Sequence, residues 1–377
     1  MKNFTICIIL VFAFAKAVLA QETTAPYIFT DLISLDVNPV ISQGKTGTCW
    51  SFSTSSFLES EIKRITGKEI DLSEMYSVRA TYPIKAENYV MRQGKAQFSE
   101  GGLAHDVIHS VDRFGLVPVD AYTGLAPTEN KHDHAEMVAV LEAMLNTYID
   151  NPGRKLSKKW KPAINAVLDT YLGTQLETFT FNNKSYTPKE FASAMRIEPS
   201  NYVSITSFTH APFHESFILN IPDNFSNGSF YNVTLDEFIQ SIDHALENGF
   251  TITLDCDVSE LSFSSKQGVA VIPAQNKNAK LSVLGPEEEK VVKQQYRQDE
   301  FENYNTTDDH LMHITGKAKD QNGTIYYKVK NSWGTDVNRT AYNGYVYMSA
   351  SYIRLKAISV LMHKDGLPTS ISKKIKI

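Results

Sequence analysis

Apolar positions take helical spacing most clearly in one stretch near the front of the chain. A polar, glycine-punctuated loop, Gln43-Gly44-Lys45-Thr46-Gly47-Thr48, runs straight into Cys49, and Trp50, Phe57, Leu58, Ile62 and Ile65 follow on one face until Gly67. This pattern predicts a helix with Cys49 at its N-terminus. Asp71-Leu72-Ser73-Glu74 predicts a second, serine-capped start. Glu100-Gly101-Gly102 precedes a third helix, Leu103 to Phe114, stopped by Gly115. His134 to Tyr148 and Lys161 to Leu172 place Leu, Val, Ile and Met on one face, with the charged run Arg154 to Lys159 as a solvated connection. Phe179-Thr180-Phe181 reads as a strand before a turn and a capped helix at Pro188, and a further helix ends at Leu246 before Asn248-Gly249. Strand patterns follow at Phe250–Val258, Asp309–Gly316, Thr324–Lys330 and Ala357–Met362, with an exposed charged helix expected from Glu287 to Arg297. Residues 27–41 read as an extended lead-in.

Composition narrows the class. The 377 residues are 42% hydrophobic and 21% charged with net charge −5, as suits a soluble globular protein of one large or two modest domains. Mild acidity argues against general nucleic-acid binding. Met1 to Ala20 has a basic start at Lys2, an apolar core from Ile6 to Phe14 and a small-residue site before Gln21. That is the pattern of an export signal, too short for an ordinary membrane span, and it predicts a periplasmic or extracellular protein with no span after its removal. Two cysteines then remain, Cys49 and Cys256. Cys256 sits in the strand pattern Phe250–Val258 and reads as buried and inert.

The chemistry centres on Cys49. Unpaired N–H groups and the positive end of a helix dipole favour a thiolate, so a lowered thiol pKa is expected there. A cysteine in this place can equally be a small buried hydrophobe, so its partners decide. Asp309-His310-Leu311-Met312-His313-Ile314-Thr315-Gly316 and Asn331-Ser332-Trp333-Gly334 supply them. Cys, then His, then Asn in Asn-Ser-Trp-Gly resembles the papain-like cysteine peptidases. The resemblance implies Cys49 as nucleophile, His310 as general base, Asn331 as the group that orients the imidazole, and Gln43 with the Cys49 N–H as oxyanion donors. Trp333 would shield the His310–Asn331 bond, with Trp50 in support. His310 is preferred to His313 because the family has a glycine six residues after its base, here Gly316, and His313 would point to the opposite strand face. Gly101 and Gly102 would let a substrate backbone lie close, or simply form a turn.

The long separation of Cys49 from His310 and the strand around Cys256 resemble the bleomycin hydrolase and aminopeptidase C branch. This implies an α+β, papain-like two-lobed fold: a helical lobe, a β-barrel-like lobe and a helical insertion over roughly 126–230, within a peptidase domain spanning 21–377. It implies peptide substrates and an aminopeptidase. A papain-like endopeptidase or other thiol amide hydrolase, and a catalytically silent surface-binding protein, are the alternatives. The short segment before Cys49 departs from the branch, leaving homo-oligomer formation open. No cofactor is required. His132, His134 and Glu136 alternate at a helix start without a further ligand, so no metal is expected. In that branch the C-terminal arm enters the cleft. The tail at 364–377, ending in the Ile377 carboxylate, is therefore a candidate for meeting the substrate's ammonium group, against the alternative of an unstructured basic end.

Overall fold

A computed structural model describes residues 26–275 and 279–377; the export-signal reading lies outside the described residues. The lead-in forms an edge strand, β1 (Thr30–Ser34), and helix α1 (Cys49–Thr66) follows. Ser51, Ser53, Thr54, Ser55 and Ser56 are all buried along α1. Side chains this small let the helix press closely against the sheet. Gly67 ends it at φ 72°, with its N–H on the Lys63 carbonyl at 2.8 Å, a left-handed cap that a Cβ would strain. Helix α2 (Glu74–Met91) starts on the Ser73 hydroxyl, which accepts the Tyr76 N–H at 3.0 Å. Helix α3 (Ala104–Phe114) buries Val107, Ile108 and Val111. Helices α4 (Ala135–Asp150) and α5 (Trp160–Leu172) bury Met137, Leu141 and Leu145 in one cluster with Ile164, Leu168 and Leu172. A hairpin of β2 (Phe179–Phe181) and β3 (Lys184–Tyr186) leads to α6 (Pro188–Ala194), capped by Thr187.

The remaining elements are β4 (Tyr202–Thr206), β5 (Ser216–Ile218), β6 (Ser229–Asn232), α7 (Leu235–Glu247), β7 (Ile252–Cys256), β8 (Phe263–Ser264) and β9 (Val269–Ala270). After them come α8 (Gln294–Glu302), β10 (His310–Lys319), β11 (Ile325–Lys330), β12 (Tyr345–Ser349), α9 (Ala350–Lys356), β13 (Ala357–His363) and α10 (Thr369–Ile375). One eleven-stranded sheet runs β5-β6-β4-β13-β7-β10-β11-β12-β9-β8, with β1 also on β10. Among the described residues this path is open, so the barrel-like lobe is an open mixed sheet and no closed barrel forms.

Strand β10 is the hub. Its first half, His310–Ile314, pairs with β7, its second half, Gly316–Lys319, pairs with β1, and β11 lies on the other edge. A Cβ at Gly316 would overlap the Ile33 carbonyl, so glycine is what admits β1. Two cores flank the hub. Phe57, Leu58 and Ile62 of α1 join Leu311 and the helices on one side, while Met312 and Ile314 join α7, α9 and α10 on the other.

Three expectations change. The segment 126–230 is not wholly helical: the β2–β3 hairpin interrupts it before α6, and β4, rich in β-branched residues, joins the main sheet beside β13, with β6 and β5 beyond it. The charged helix begins at Gln294 rather than Glu287, because Glu289 instead accepts the Ile272 N–H at 2.8 Å and the Ser349 hydroxyl at 2.5 Å. Nor is α8 wholly exposed, since Arg297 is buried and donates to the Ser207 carbonyl at 2.8 Å. The C-terminal tail is ordered: α10 buries Ile371 and Ile375, and Lys374 pairs with Glu237 of α7 at 2.6 Å. Cys256 is free and fully buried, as its strand pattern implied.

Candidate active site

The fold brings the ends of the chain together at the first turn of α1. Cys49 packs in one cluster with Leu311, the residue after His310. His310 Nε2 lies 2.8 Å from Asn331 Oδ1, and that oxygen also accepts the Ser332 N–H at 2.7 Å. An atom that accepts a backbone N–H is the amide oxygen, so the imidazole must present Nε2–H to it. Nδ1 is then the bare nitrogen, free to take a proton. The Trp333 ring stacks on the imidazole with centroids 4.7 Å apart and planes at 29°.

Ser332 carries the order one step further. Its carbonyl accepts the Gln43 N–H at 2.9 Å and its hydroxyl donates to Gln43 Oε1 at 2.5 Å. Gln43 Nε2 spends one hydrogen on the Thr46 carbonyl at 2.6 Å, leaving a second. The Cys49 N–H has no acceptor among the described residues. The Gln43 loop leads directly into Cys49, whose own N–H is the second of these donors. The loop carrying them is fastened by the Gly47 N–H on Glu100 Oε2 at 2.6 Å, and by Trp50 Nε1 on the Glu100 carbonyl at 2.9 Å. Sequence reasoning named Gln43, Cys49, His310 and Asn331 but passed over Ser332, although it stands between Asn331 and Trp333 in the same motif.

Electrostatics reverse one expectation. Burial pushes the Cys49 thiol up to about 12, against the help that the Leu311 N–H gives the thiolate. Burial likewise pulls His310 down to about 4, although Asn331 favours its charged form. Cys49 is 8% and His310 4% exposed, and desolvation at that depth outweighs the helix terminus. Burial thus favours the neutral form of each.

His313 lies on the other face of β10, fully buried, with Nδ1 at 3.0 Å from the Ser56 hydroxyl of α1. Behind it a cavity of about 330 Å³ is lined by Glu59, Asp71, Glu74 and Lys330. The three carboxylates lie within 4.8 Å of one another. Lys330 favours the charged form of each, and Glu59 also takes the Leu72 N–H at 3.0 Å. We read this as an internal charge network. His132 and His134 lie with ring centroids 5.9 Å apart, while Glu136 is turned away to the Tyr171 hydroxyl at 2.5 Å, so those three do not converge.

The glycine pair lies against Trp50 and Asp223. A Cβ at Gly102 would press within 3.1 Å of the Trp50 ring, and one at Gly101 would overlap the Asp223 carboxylate. Close approach is thus demanded here from within the chain, by Trp50 and by Asp223. The latter comes from the loop between β5 and β6 and carries no sequence signal. Ile377 is not brought to Cys49. It lines a groove with His105, His109, Asp112 and Tyr231 that includes none of Gln43, Cys49, Gly101 or His310. Helix α10, anchored through Ile371 and Ile375, holds the end of the tail at this groove.

Comparison with known proteins agrees with this geometry. The profile of the Peptidase C1-like family matches residues 87–377, and that of the papain family cysteine proteases matches 30–137. Aminopeptidase C of Lactococcus lactis subsp. cremoris is 23% identical over 89% of this chain and 83% of its own. Cysteine proteinase 1, mitochondrial, of Saccharomyces cerevisiae strain YJM789 is 21% identical over 92% and 79%. The crystal structure of PepW from Lactobacillus rhamnosis HN001 superposes with a TM-score of 0.73 at 18% identity, covering 92% of this chain and 84% of its own.

Proposed function

The chain belongs to the Peptidase C1-like family, and from that premise we propose that it is a cysteine aminopeptidase working through Cys49, His310, Asn331 and Gln43. The observation that carries this reading is the unbroken line of hydrogen bonds from His310 through Asn331 and Ser332 to Gln43, in the loop that leads into Cys49. His310 Nδ1 takes the thiol proton as Sγ attacks the scissile carbonyl. The developing oxyanion meets the spare Gln43 Nε2–H and the Cys49 N–H. His310 then gives its proton to the leaving amine, and water, activated by the same nitrogen, releases the acyl group. Trp333 keeps bulk water off the imidazole. Every step is carried by these side chains and water.

Two facts support removal of amino-terminal residues over internal cleavage. Relatives named Aminopeptidase C align over most of both chains, and Asp223 stands against Gly101 where a longer substrate would continue. Purified protein should hydrolyse a free-amine peptide and leave its N-acetylated twin nearly intact, with Cys49→Ala removing both activities. Equal hydrolysis of the two peptides would instead establish an endopeptidase. We also propose export, supported by the pattern of residues 1–20. The mature protein recovered outside the cytoplasm should begin at Gln21, and an intact Met1 there would refute it.

A further inference from the structure

The flank of the cleft around Gly101 carries three carboxylates that the mechanism above does not use. Asp223 sits on the loop 219–228, which Asn224 holds rigid: its Nδ2 donates to the Leu219 and Gly228 carbonyls at 2.8 and 2.9 Å, and its Oδ1 accepts the Gly228 N–H at 2.8 Å. Asp223 Oδ1 takes Gln97 Nε2 at 2.7 Å, while Oδ2 has no donor among the described residues. Behind Asp223 stands Asp308, two residues before His310, its carboxyl buried against the Asp223 backbone N–H and the Asp255 carboxyl with no other side-chain donor in reach. Asp255 of β7, paired in register with Leu311, is 2% exposed, and its Oδ1 is likewise unpartnered.

All three act electrostatically on the Cys49 thiol, Asp223 most strongly, then Asp308 and Asp255. The nearest cation, Lys85, spends its ammonium on the Ser99 carbonyl at 2.7 Å and on the Gly101 carbonyl, and forms no ion pair with Asp223. Burial raises the carboxyl of Asp308 to about 7, and those of Asp223 and Asp255 are raised as well. Carboxylates buried in this way are relieved either by taking up a proton, as the raised carboxyls show, or by a cation, which Lys85 supplies to Asp223 only in part.

We propose that Asp223, backed by Asp308 and Asp255, is the residue that binds the substrate's free α-ammonium group, and that the Ile377 carboxylate takes no part. The proposal rests on the aminopeptidase reading and gives it a physical origin. An ammonium group brings the three donors that the wall lacks. A substrate chain lying along Gly101 would meet the Asp223 carboxylate, which already fills the space directly over that glycine. A basic side chain would satisfy the charge but not this closure. The loop is fixed before binding, so little ordering is needed on contact.

The test compares kcat and KM for one peptide with a free amine, its N-acetyl form, and an N-acetyl peptide with arginine just before the scissile bond. Full-length mature enzyme is used, with active sites counted by alkylation of Cys49. Asp223→Asn should lower kcat/KM for the free-amine peptide by about 10- to 100-fold, mainly through KM, leaving the acetylated peptide little changed. Asp308→Asn should do the same more weakly. Deleting Lys376 and Ile377 should leave the preference intact. If the wild type prefers the free amine and Asp223→Asn keeps that preference, this proposal fails while the aminopeptidase reading stands. Loss of the preference on tail deletion, or efficient cleavage of the acetylated arginine peptide, overturns it too. A wild type indifferent to acetylation removes both.

Discussion

The two flanks of Cys49 are built on opposite rules. On the Gln43 side the acceptors are saturated: Asn331 Oδ1 takes two N–H groups and Gln43 Oε1 takes the Ser332 hydroxyl, and what is left over there is donors, namely Asn331 Nδ2, one hydrogen of Gln43 Nε2 and the Cys49 N–H. On the Gly101 side Asp308 meets only the Asp223 N–H and the Asp255 carboxyl, and Asp223 and Asp255 are half satisfied at best. Saturation fixes side chains before any substrate arrives, which reaction geometry needs. Bare acceptors keep their affinity for a donor from outside, which recognition needs. A buried polar group without a partner is therefore informative in inverse proportion to how well its neighbours are served.

Breaking the saturated flank should have the largest effects. Cys49→Ala should lower kcat by about 10⁶-fold, or to the detection limit, with the thermal transition unchanged. Cys256→Ala, far from any donor set, should keep most of the activity, and the reverse result would displace the nucleophile. His310→Ala should lower kcat by about 10²- to 10⁴-fold. In the wild type kcat/KM should climb through about pH 4, where His310 loses its proton. A climb centred near 8 would mean that the thiol, not the imidazole, limits activity on the acid side.

Loosening the same flank without removing a reacting group should matter less. Ser332→Ala frees Gln43 Oε1 and should reduce kcat by about tenfold, the equivalent of one orienting hydrogen bond; a change confined to KM would assign Ser332 to substrate binding. The unsaturated flank should show itself in stability. Asp308 is raised to about 7 and, behind the cleft, Glu59 to about 8 and Glu289 to about 7. Folded protein thus holds protons that the unfolded chain releases near pH 4, so their stabilisation is complete below that value and is lost as pH rises to about 8. The buried histidines act in the opposite sense, but only below about 6.5. Tm should therefore fall between pH 6.5 and 8, and Asp308→Asn should make that fall shallower. His313→Ala should lower Tm and leave kcat of the folded enzyme within a few-fold.

What the sequence disclosed divides along the same line. The helix start at Cys49 and the meeting of His310 with Asn331 were legible because each residue sits in a local pattern, a loop before a helix or a strand end. Ser73 and Thr187 declared their helices by capping rules, and Gly67 its helix's end. Asp223 was not legible, since Pro222-Asp223-Asn224 resembles any turn and its meaning arises only from the approach to Gly101. The thiol was misjudged for a related reason: a helix start can be read from spacing, but depth of burial is settled by what packs over it. Glu289 broke its expected helix through bonds to Ile272 and Ser349 that no local pattern announces. The tail was legible as far as β13, whereas the docking of α10 on α7 depends on residues more than a hundred positions away.

The pairing of β1 with β10 also governs when the molecule becomes an enzyme. Lys328 beside β10 reaches Asp31 of β1 across 297 positions of sequence, and α1 meets its strand partner only across a similar span. Contacts so distant along the chain form late and slowly, on the order of milliseconds to seconds in proteins dominated by them. A chain still emerging from its ribosome carries its thiol without a base. The sheet's edge at β10 stays unfinished until both ends have been delivered. Distance along the chain thus serves as a timer, keeping the nascent polypeptide harmless to its surroundings and to itself until synthesis is nearly complete.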